Sequence, residues 1–91
     1  MNFEDLVKRD GLYYEQFTDV PFTGKVTGQE QGSFKDGRKH GRWVSYYDNG
    51  QVWMKGTYKN GKREGTWFDY HKDGTVNENW TGIYKDGVKV K

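Results

Sequence analysis

Side chains with reactive chemistry are few in this sequence. It contains two histidines, two serines and no cysteine. Nucleophilic and metal sites require several such groups at defined spacing, and the chain has no recognisable motif of that kind. Both histidines also occupy positions where another copy of an internal repeat has a different residue, His40 against Glu64 and His71 against Tyr47. We therefore predict no catalytic residue, no metal or cofactor site and no enzymatic activity.

Aromatic side chains offer binding chemistry instead. The chain has seven Tyr, five Phe and four Trp, and a few exposed aromatics can dominate an interface. Positions that differ between the two full copies of the repeat are the strongest candidates, because the scaffold does not require them. One further tryptophan lies in a segment inserted into the second copy. The predicted partner-binding residues are Tyr47, Trp53, Met54, Trp80, Arg42 and His71.

Basic residues at the predicted hairpin turns offer a second kind of binding. Arg38 and Lys39 follow one turn, and Lys62 and Arg63 follow the next. Basic tips beside aromatic strands can hold phosphates and stack bases, as in proteins that bind single-stranded nucleic acids. Interleaved acidic residues such as Glu64 favour another interpretation, in which solvated tips keep the sheet soluble and protect its edges. The sequence leaves both interpretations open.

An internal repeat positions all of these residues. Phe34-Lys35-Asp36-Gly37 recurs as Tyr58-Lys59-Asn60-Gly61 and as Tyr84-Lys85-Asp86-Gly87, at spacings of 24 and 26 residues. Five further glycine, aromatic and valine positions repeat with the shift of 24. Repetition at this period indicates tandem supersecondary units. We divide a single domain, 1–91, into an N-terminal cap segment 1–21, a degenerate repeat 22–33, repeats 34–57 and 58–83, and a terminal half-repeat 84–91.

Turn chemistry within each unit predicts the secondary structure. Asn-Gly or Asp-Gly pairs separate runs rich in Val, Tyr, Trp and Thr, which is the pattern of two-residue hairpins. Asn2 as a cap with Asp5 behind it favours one helical turn or a short helix over 3–8. The predicted fold class is mostly all-β, an antiparallel meander of tandem hairpins. The predicted strands are 12–17, 22–27, 31–35, 41–47, 51–58, 64–70, 75–84 and 88–90.

The predicted sheet has more aromatic residues than one covered face can hide. Alternation along a strand places the repeated Trp43 and Tyr46 on opposite faces. The N-terminal segment has apolar residues for covering one face but is too short to cover two. We assign the aromatics shared by the repeats to packing and expect one face to be open. The covering residues would be Phe3, Leu6, Val7, Leu12 and Phe17, and the packing residues Phe34, Trp43, Tyr46, Tyr58, Trp67, Tyr70 and Tyr84.

Composition and charge narrow the possible binding partners and the cellular compartment. A net charge of +2 is too small to imply a nucleic-acid or membrane partner. The absence of cysteine excludes disulfides and fits a reducing compartment. The start of the chain has no apolar signal-peptide core, and no stretch approaches the roughly 18 apolar residues of a membrane span. We expect a cytoplasmic protein without a transmembrane segment.

The repeat resembles a known family. Residues 58–76 follow the pattern Y-K-N-G-K-x-x-G-x-W-x-x-Y-x-x-x-G-x-V, which resembles the MORN-repeat variant of many bacterial proteins. Residues 11–26 are similar to the opening segment of the same group, the YwqK-type antitoxin family. The resemblance covers about residues 11–89. It implies a β-repeat scaffold that binds and neutralises a toxin, and it brings no catalytic residues; the wider MORN class also includes lipid-associated and protein-bridging members.

The leading hypothesis is a bacterial or phage protein that binds and neutralises or inhibits a protein partner through its aromatic sheet face. The partner would be a toxin, an effector or a host factor, in an antitoxin, immunity or phage counter-defence role. One alternative is binding of nucleic acid or anionic lipid through the basic tips. Another is a structural module that forms a homodimer.

Overall fold

The computed structural model describes all 91 residues and consists of β-strands joined by tight turns. One 3-10 turn, Phe3–Asp5, is the only helical element, and the chain has no helix with the length and apolar character needed to cross a bilayer. The strands are β1 (Leu6–Arg9), β2 (Leu12–Glu15), β3 (Gly24–Val26), β4 (Glu30–Lys35), β5 (Arg38–Tyr46), β6 (Val52–Lys59), β7 (Lys62–Asp69), β8 (Gly82–Lys85) and β9 (Val88–Lys89).

Neighbours in sequence are neighbours in the sheet. Strands β3 to β9 form one seven-stranded antiparallel sheet in sequence order, and β1 and β2 form a separate hairpin. The predicted all-β meander is therefore confirmed. At the β4–β5 turn, Asp36 and Gly37 have φ angles of 51° and 82°, and Asn60 and Gly61 repeat this with 52° and 82° at β6–β7. Two successive positive φ angles match the twist of antiparallel strands, and Asx-Gly pairs adopt them at least cost.

Of the two alternatives predicted near the N-terminus, one helical turn or a short helix, the structure has the single turn. The Asn2 side chain accepts the Glu4 N–H at 3.0 Å, as expected of a cap, but the turn ends at Asp5. The next four residues form β1, which pairs with β2. Asp10 and Gly11 have φ angles of 51° and 81°, so the same two-residue turn that joins the later hairpins favours a strand here over a helix.

The strand predicted over 75–84 is also corrected, because only 82–85 are extended. Residues 77–81 form a turn in which the Thr81 N–H donates to the Asn77 carbonyl at 3.0 Å. The two residues inserted relative to the preceding repeat are accommodated in this turn. Thr81 then fixes the turn against β7, since its hydroxyl accepts the Asp69 N–H at 2.8 Å.

Aromatic rings shared by the repeats form a continuous row in the core. Successive ring centroids are separated by 5.4 Å for Phe34–Trp43, 5.7 Å for Trp43–Tyr58 and 4.8 Å for Tyr58–Trp67. All three contacts are edge-to-face, an arrangement that contributes about 0.5–1.5 kcal/mol per pair beyond burial. Trp43 and Trp67 are fully buried. The assignment to packing is confirmed for these four rings.

A glycine on the preceding strand leaves room for the ring of each buried tryptophan. Gly32 pairs with Trp43 across β4 and β5, and a Cβ added there would overlap the indole ring. A Cβ added to Gly56 on β6 would overlap the ring of Trp67 in the same way. Each indole therefore lies against bare backbone of the preceding strand, which a thin sheet permits only where the residue beneath has no side chain.

We call the face that carries Trp43 and Trp67 the inner face and the opposite one the outer face. The N-terminal segment covers part of the inner face, with the Phe3 ring 6.2 Å from Phe34 and 6.0 Å from Trp43. Phe17, predicted to share this role, is instead completely exposed. It follows the end of β2 in a turn with φ of 65°, so the chain direction carries its ring away from the sheet.

Candidate binding surfaces

The two ends of the sheet present different chemistry. At the end we call basic, the turn at Asn60-Gly61 is tied to its neighbour by the Gly61 N–H, which donates to the Lys39 carbonyl at 2.8 Å. The Gly87 N–H donates to the Arg63 carbonyl at 3.0 Å in the same manner. At the opposite, aromatic end lie the turns over 47–51 and 71–75, joined by a bond from Asn49 Nδ2 to the Lys72 carbonyl at 3.0 Å.

Two of the predicted binding residues meet at the aromatic end. The rings of Tyr47 and Trp53 are stacked, with centroids 5.5 Å apart and an interplanar angle of 29°. The Tyr47 hydroxyl donates to the Tyr70 carbonyl at 2.7 Å, which fixes the ring in place. Trp53 remains 41% exposed. The pair is thus held in one conformation while one large ring stays accessible.

A bulge explains why Trp53 is available. Ser45 pairs with Met54, but the next residue, Tyr46, pairs with Val52, so Trp53 is the extra residue of β6. The sequence prediction placed Tyr46 on the face opposite Trp43. Tyr46 and Trp53 instead line a cavity of about 220 Å³ together with the N-terminal segment. The other lining residues are Asn2, Phe3, Glu4, Gln29 and Glu30.

The remaining predicted binding residues are dispersed. Met54 does not point to solvent: it packs against the core, and its sulfur accepts Nη2 of Arg63 at 3.2 Å. The prediction that Met54 is exposed for binding is therefore corrected. Arg42 lies on the outer face opposite Thr57, His71 lies exposed in a turn at the aromatic end, and Trp80 is 57% exposed in the inserted turn.

The prediction that Arg63 is a free basic residue at a hairpin tip is also corrected. Its guanidinium makes two bonds to Asp69, 2.9 Å from Nη1 to Oδ1 and 3.2 Å from Nη2 to Oδ2. It also lies 4.3 Å from the centroid of Trp67. Burial alone lowers the pKa of Arg63, but the hydrogen bond and charge of Asp69 outweigh it and raise the pKa above its ordinary value. The pair neutralises itself within the inner face.

Lys39, one repeat earlier, also turns inward. Its ammonium lies 4.8 Å from the ring centroid of Trp43 and 5.2 Å from that of Tyr58. Ser45 occupies the position that Asp69 holds in the second repeat, and Lys39 forms no ion pair. Burial lowers the pKa of Lys39, with a partial offset from the charge of Glu30 and a further lowering by Lys8 and Arg63.

The other predicted basic residues gather around Lys39. A cavity of about 260 Å³ opens at the basic end, between the β1–β2 hairpin and the turns of the large sheet. Four cationic side chains and two tyrosines line it, and no carboxylate does. Its residues are Lys8, Gly11, Tyr13, Gly37, Arg38, Lys39, Tyr58, Asn60, Gly61 and Lys62. Sequence reasoning missed Lys8 and Tyr13, since nothing in the repeat links the cap segment to these turns.

The outer face carries a basic groove that sequence reasoning also missed. Its lining includes Arg42, Val44, Lys55, Thr57 and Phe68, and its volume is about 280 Å³. The Lys55 ammonium lies 5.8 Å from the ring centroid of Phe68, which is 41% exposed. Alternation along β5 and β6 was the signal that places Arg42 and Lys55 on one face, but the pairing register was needed to align the strands.

Comparison with known proteins agrees with this architecture. Residues 39–60 match the family model of the MORN repeat variant. The matched segment begins at Lys39 on β5 and ends in the β6–β7 turn, so it includes Trp43, the Tyr47–Trp53 pair and Gly56. No curated protein and no solved structure matches the chain.

Proposed function

We propose that this chain is a non-enzymatic binding module that neutralises or inhibits a protein partner by burying the aromatic end of its sheet. The observation that carries the proposal is the stacked Tyr47–Trp53 pair, which is fixed by a hydrogen bond and left accessible. Rigid aromatic rings bind with little loss of side-chain entropy and are the residues that most often dominate protein interfaces. A cytoplasmic bacterial or phage role of the antitoxin, immunity or counter-defence type is part of this proposal.

The cavity beside Trp53 supports a protein partner over a small ligand. Its aromatic wall is Phe3, Tyr46 and Trp53, and its polar wall includes the carboxylates of Glu4 and Glu30. Aromatic rings next to carboxylates favour a cationic group, since the ring faces and the negative charges both attract it. A Lys or Arg side chain of a partner fits this chemistry and this volume of about 220 Å³.

A double substitution, Trp53→Ser with Tyr47→Ser, tests the proposal. The probe is the product of the neighbouring gene, co-expressed with this chain and recovered by affinity capture. We expect capture, and rescue of growth from that product, to fall at least tenfold. Met54 is left unchanged because it packs against Arg63 in the core, so its replacement would confound binding with stability.

Phe68→Ser is the matched control. Phe68 and Trp53 are equally exposed at 41%, but Phe68 lies on the outer face, so its replacement removes a similar apolar surface elsewhere. Capture should survive this change. Equal loss in both variants, or no loss in either, contradicts the assignment of the aromatic end.

The outer face favours a second candidate, attachment to nucleic acid. On strands β3 to β9, the basic side chains of the outer face are accompanied by one carboxylate, that of Glu64. The Phe68 ring on the same face offers a surface on which a base can stack. Phosphate binding by such a face weakens steeply with added salt. Binding of a single-stranded oligonucleotide that is lost in Phe68→Ser but kept in the Tyr47/Trp53 variant would favour this candidate over the first.

A further inference from the structure

The two equivalent cations of the repeats differ in how their charge is compensated. The charge of Arg63 is compensated by Asp69, whose carboxylate accepts two hydrogen bonds from the guanidinium. Lys39 has no carboxylate within ion-pair distance and keeps its charge over the rings of Trp43 and Tyr58. A partly buried charge without a counter-ion raises the free energy of the fold. An external anion bound at Lys39 would supply that counter-ion and so stabilise the folded chain.

The surroundings of Lys39 are built to attract such an anion. Lys8 comes from the N-terminal hairpin, whereas Arg38 and Lys62 are the first residues of β5 and β7 in the large sheet. All three line the same cavity of about 260 Å³ as Lys39, and Tyr13 and Tyr58 line it as well. Cations from three separate elements thus converge, with no lining carboxylate to neutralise them.

We propose that this cavity is a binding site for a compact, multiply charged phosphate compound, of the diphosphate or nucleoside-diphosphate class. A single carboxylate cannot compensate four cations, whereas a diphosphate group carries several charges and many acceptor oxygens. Arg38 offers a planar fork for two phosphate oxygens, and the lysines act as point charges around it. The tyrosine rings are already packed against Phe34 and Trp67, so they contribute hydroxyl groups and not a platform for a base.

The site is independent of the aromatic end. It lies at the opposite end of the strands, and none of its lining residues belongs to the cavity beside Trp53. A phosphate ligand at the basic end is therefore compatible with a protein partner at the other end.

Calorimetric titration of the intact chain with inorganic diphosphate at low ionic strength tests the site. We expect one binding event, weakened at least tenfold by Lys39→Met and by Lys62→Met. Lys72→Met, in the turn at the aromatic end, removes the same charge at a distance from the cavity and should leave the affinity within about twofold. A parallel titration with ADP identifies the source of the phosphate: tighter binding than diphosphate indicates a nucleotide, and equal binding indicates a free phosphate compound.

A charge-conserving variant excludes a general effect of net charge. Glu30→Met, Lys39→Arg and Ser45→Asp together copy the second repeat, in which Met54, Arg63 and Asp69 hold the equivalent positions. Net charge stays at +2, but the cation gains an internal partner, so diphosphate affinity should fall at least tenfold. Thermal unfolding shows whether each variant folds, and added diphosphate should raise Tm less for Lys39→Met than for the wild type.

Three results would overturn the proposal. The first is no binding of diphosphate or ADP by the wild type. The second is an equal loss of affinity in Lys72→Met and Lys39→Met, which would indicate diffuse surface charge. The third is full affinity in a folded Lys39→Met chain.

Discussion

The first and second repeats share a backbone but treat a buried cation in opposite ways. In the second repeat Arg63 is bound by Asp69 and lies flat on Trp67. In the first, Lys39 lies over Trp43 while Ser45 stands where an aspartate would be, and Ser45 instead accepts the Trp43 indole N–H at 3.2 Å. One repeat is thus internally complete and stabilises the fold, whereas the other keeps an uncompensated charge available for a ligand.

Removing the two cations in turn should produce the largest difference between the repeats. Arg63→Met leaves Asp69 as an unpaired carboxylate that is 5% exposed, and breaking such a pair costs about 3 kcal/mol. Lys39→Met leaves no charge behind and keeps a long apolar stem over Trp43 and Tyr58, so its effect should stay within about 1 kcal/mol. Urea unfolding of both variants measures the two values. Equal destabilisation would contradict the difference between the repeats.

Adding one methyl group beneath each tryptophan should affect both repeats alike. Gly32→Ala and Gly56→Ala each place a Cβ inside the space of an indole ring, Trp43 or Trp67. Overpacking of this kind costs about 1–3 kcal/mol. Ser33→Ala, on the outer face beside Gly32, serves as the control and should change the unfolding free energy by less than about 0.5 kcal/mol. If either alanine is tolerated, the glycine beneath that ring is not a packing requirement.

The smallest effect concerns pH. Because the folded chain lowers the pKa of Lys39, mainly through burial, the unfolded state holds the proton more tightly between that lowered value and the ordinary value of about 10.4. Stability contributed by Lys39 therefore rises with pH across this window. Burial raises the pKa values of Tyr13 and Tyr58. The folded state therefore holds these two protons more tightly than the unfolded state does, so their contribution to stability falls as the pH rises above about 10.

The difference between the wild type and Lys39→Met isolates the lysine, because both chains contain the two tyrosines. We expect wild-type stability to gain on that of the variant as the pH is raised from 7 toward 10, in urea titrations at constant ionic strength. A gap that does not change with pH would show that the charge of Lys39 is not destabilised by its surroundings.

Sequence reasoning succeeded wherever local chemistry decides the structure. The Asx-Gly pairs specified the hairpin turns at Asp36-Gly37 and Asn60-Gly61, and the repeated rings specified the core that contains Trp43 and Trp67. It failed where the pairing register decides. The bulge at Trp53 and the inward direction of Met54 depend on which residue of β5 lies opposite each of them, and that pairing leaves no local signal.

The candidate sites show the same division. The sequence named Trp53, Tyr47 and the basic tip residues, because unusual residue types at known turns are visible without coordinates. It did not show that Lys39 and Arg63 turn inward, or that Lys8 joins Lys39 in one cavity. The second relation joins the cap segment to a residue about thirty positions away, through packing of one hairpin on another.

Local sequence accounts for the β-hairpin repeats, their turns and the tryptophan–glycine core, because φ preferences and side-chain size act on neighbouring residues. Which charges are compensated depends on the folded chain. Asp69 pairs with Arg63 along the same strand, β7, while Lys8, Arg38 and Lys62 meet around Lys39 from three elements. Electrostatic energy depends on distance in space, and distances of that kind exist only once the strands are paired and the N-terminal hairpin is docked.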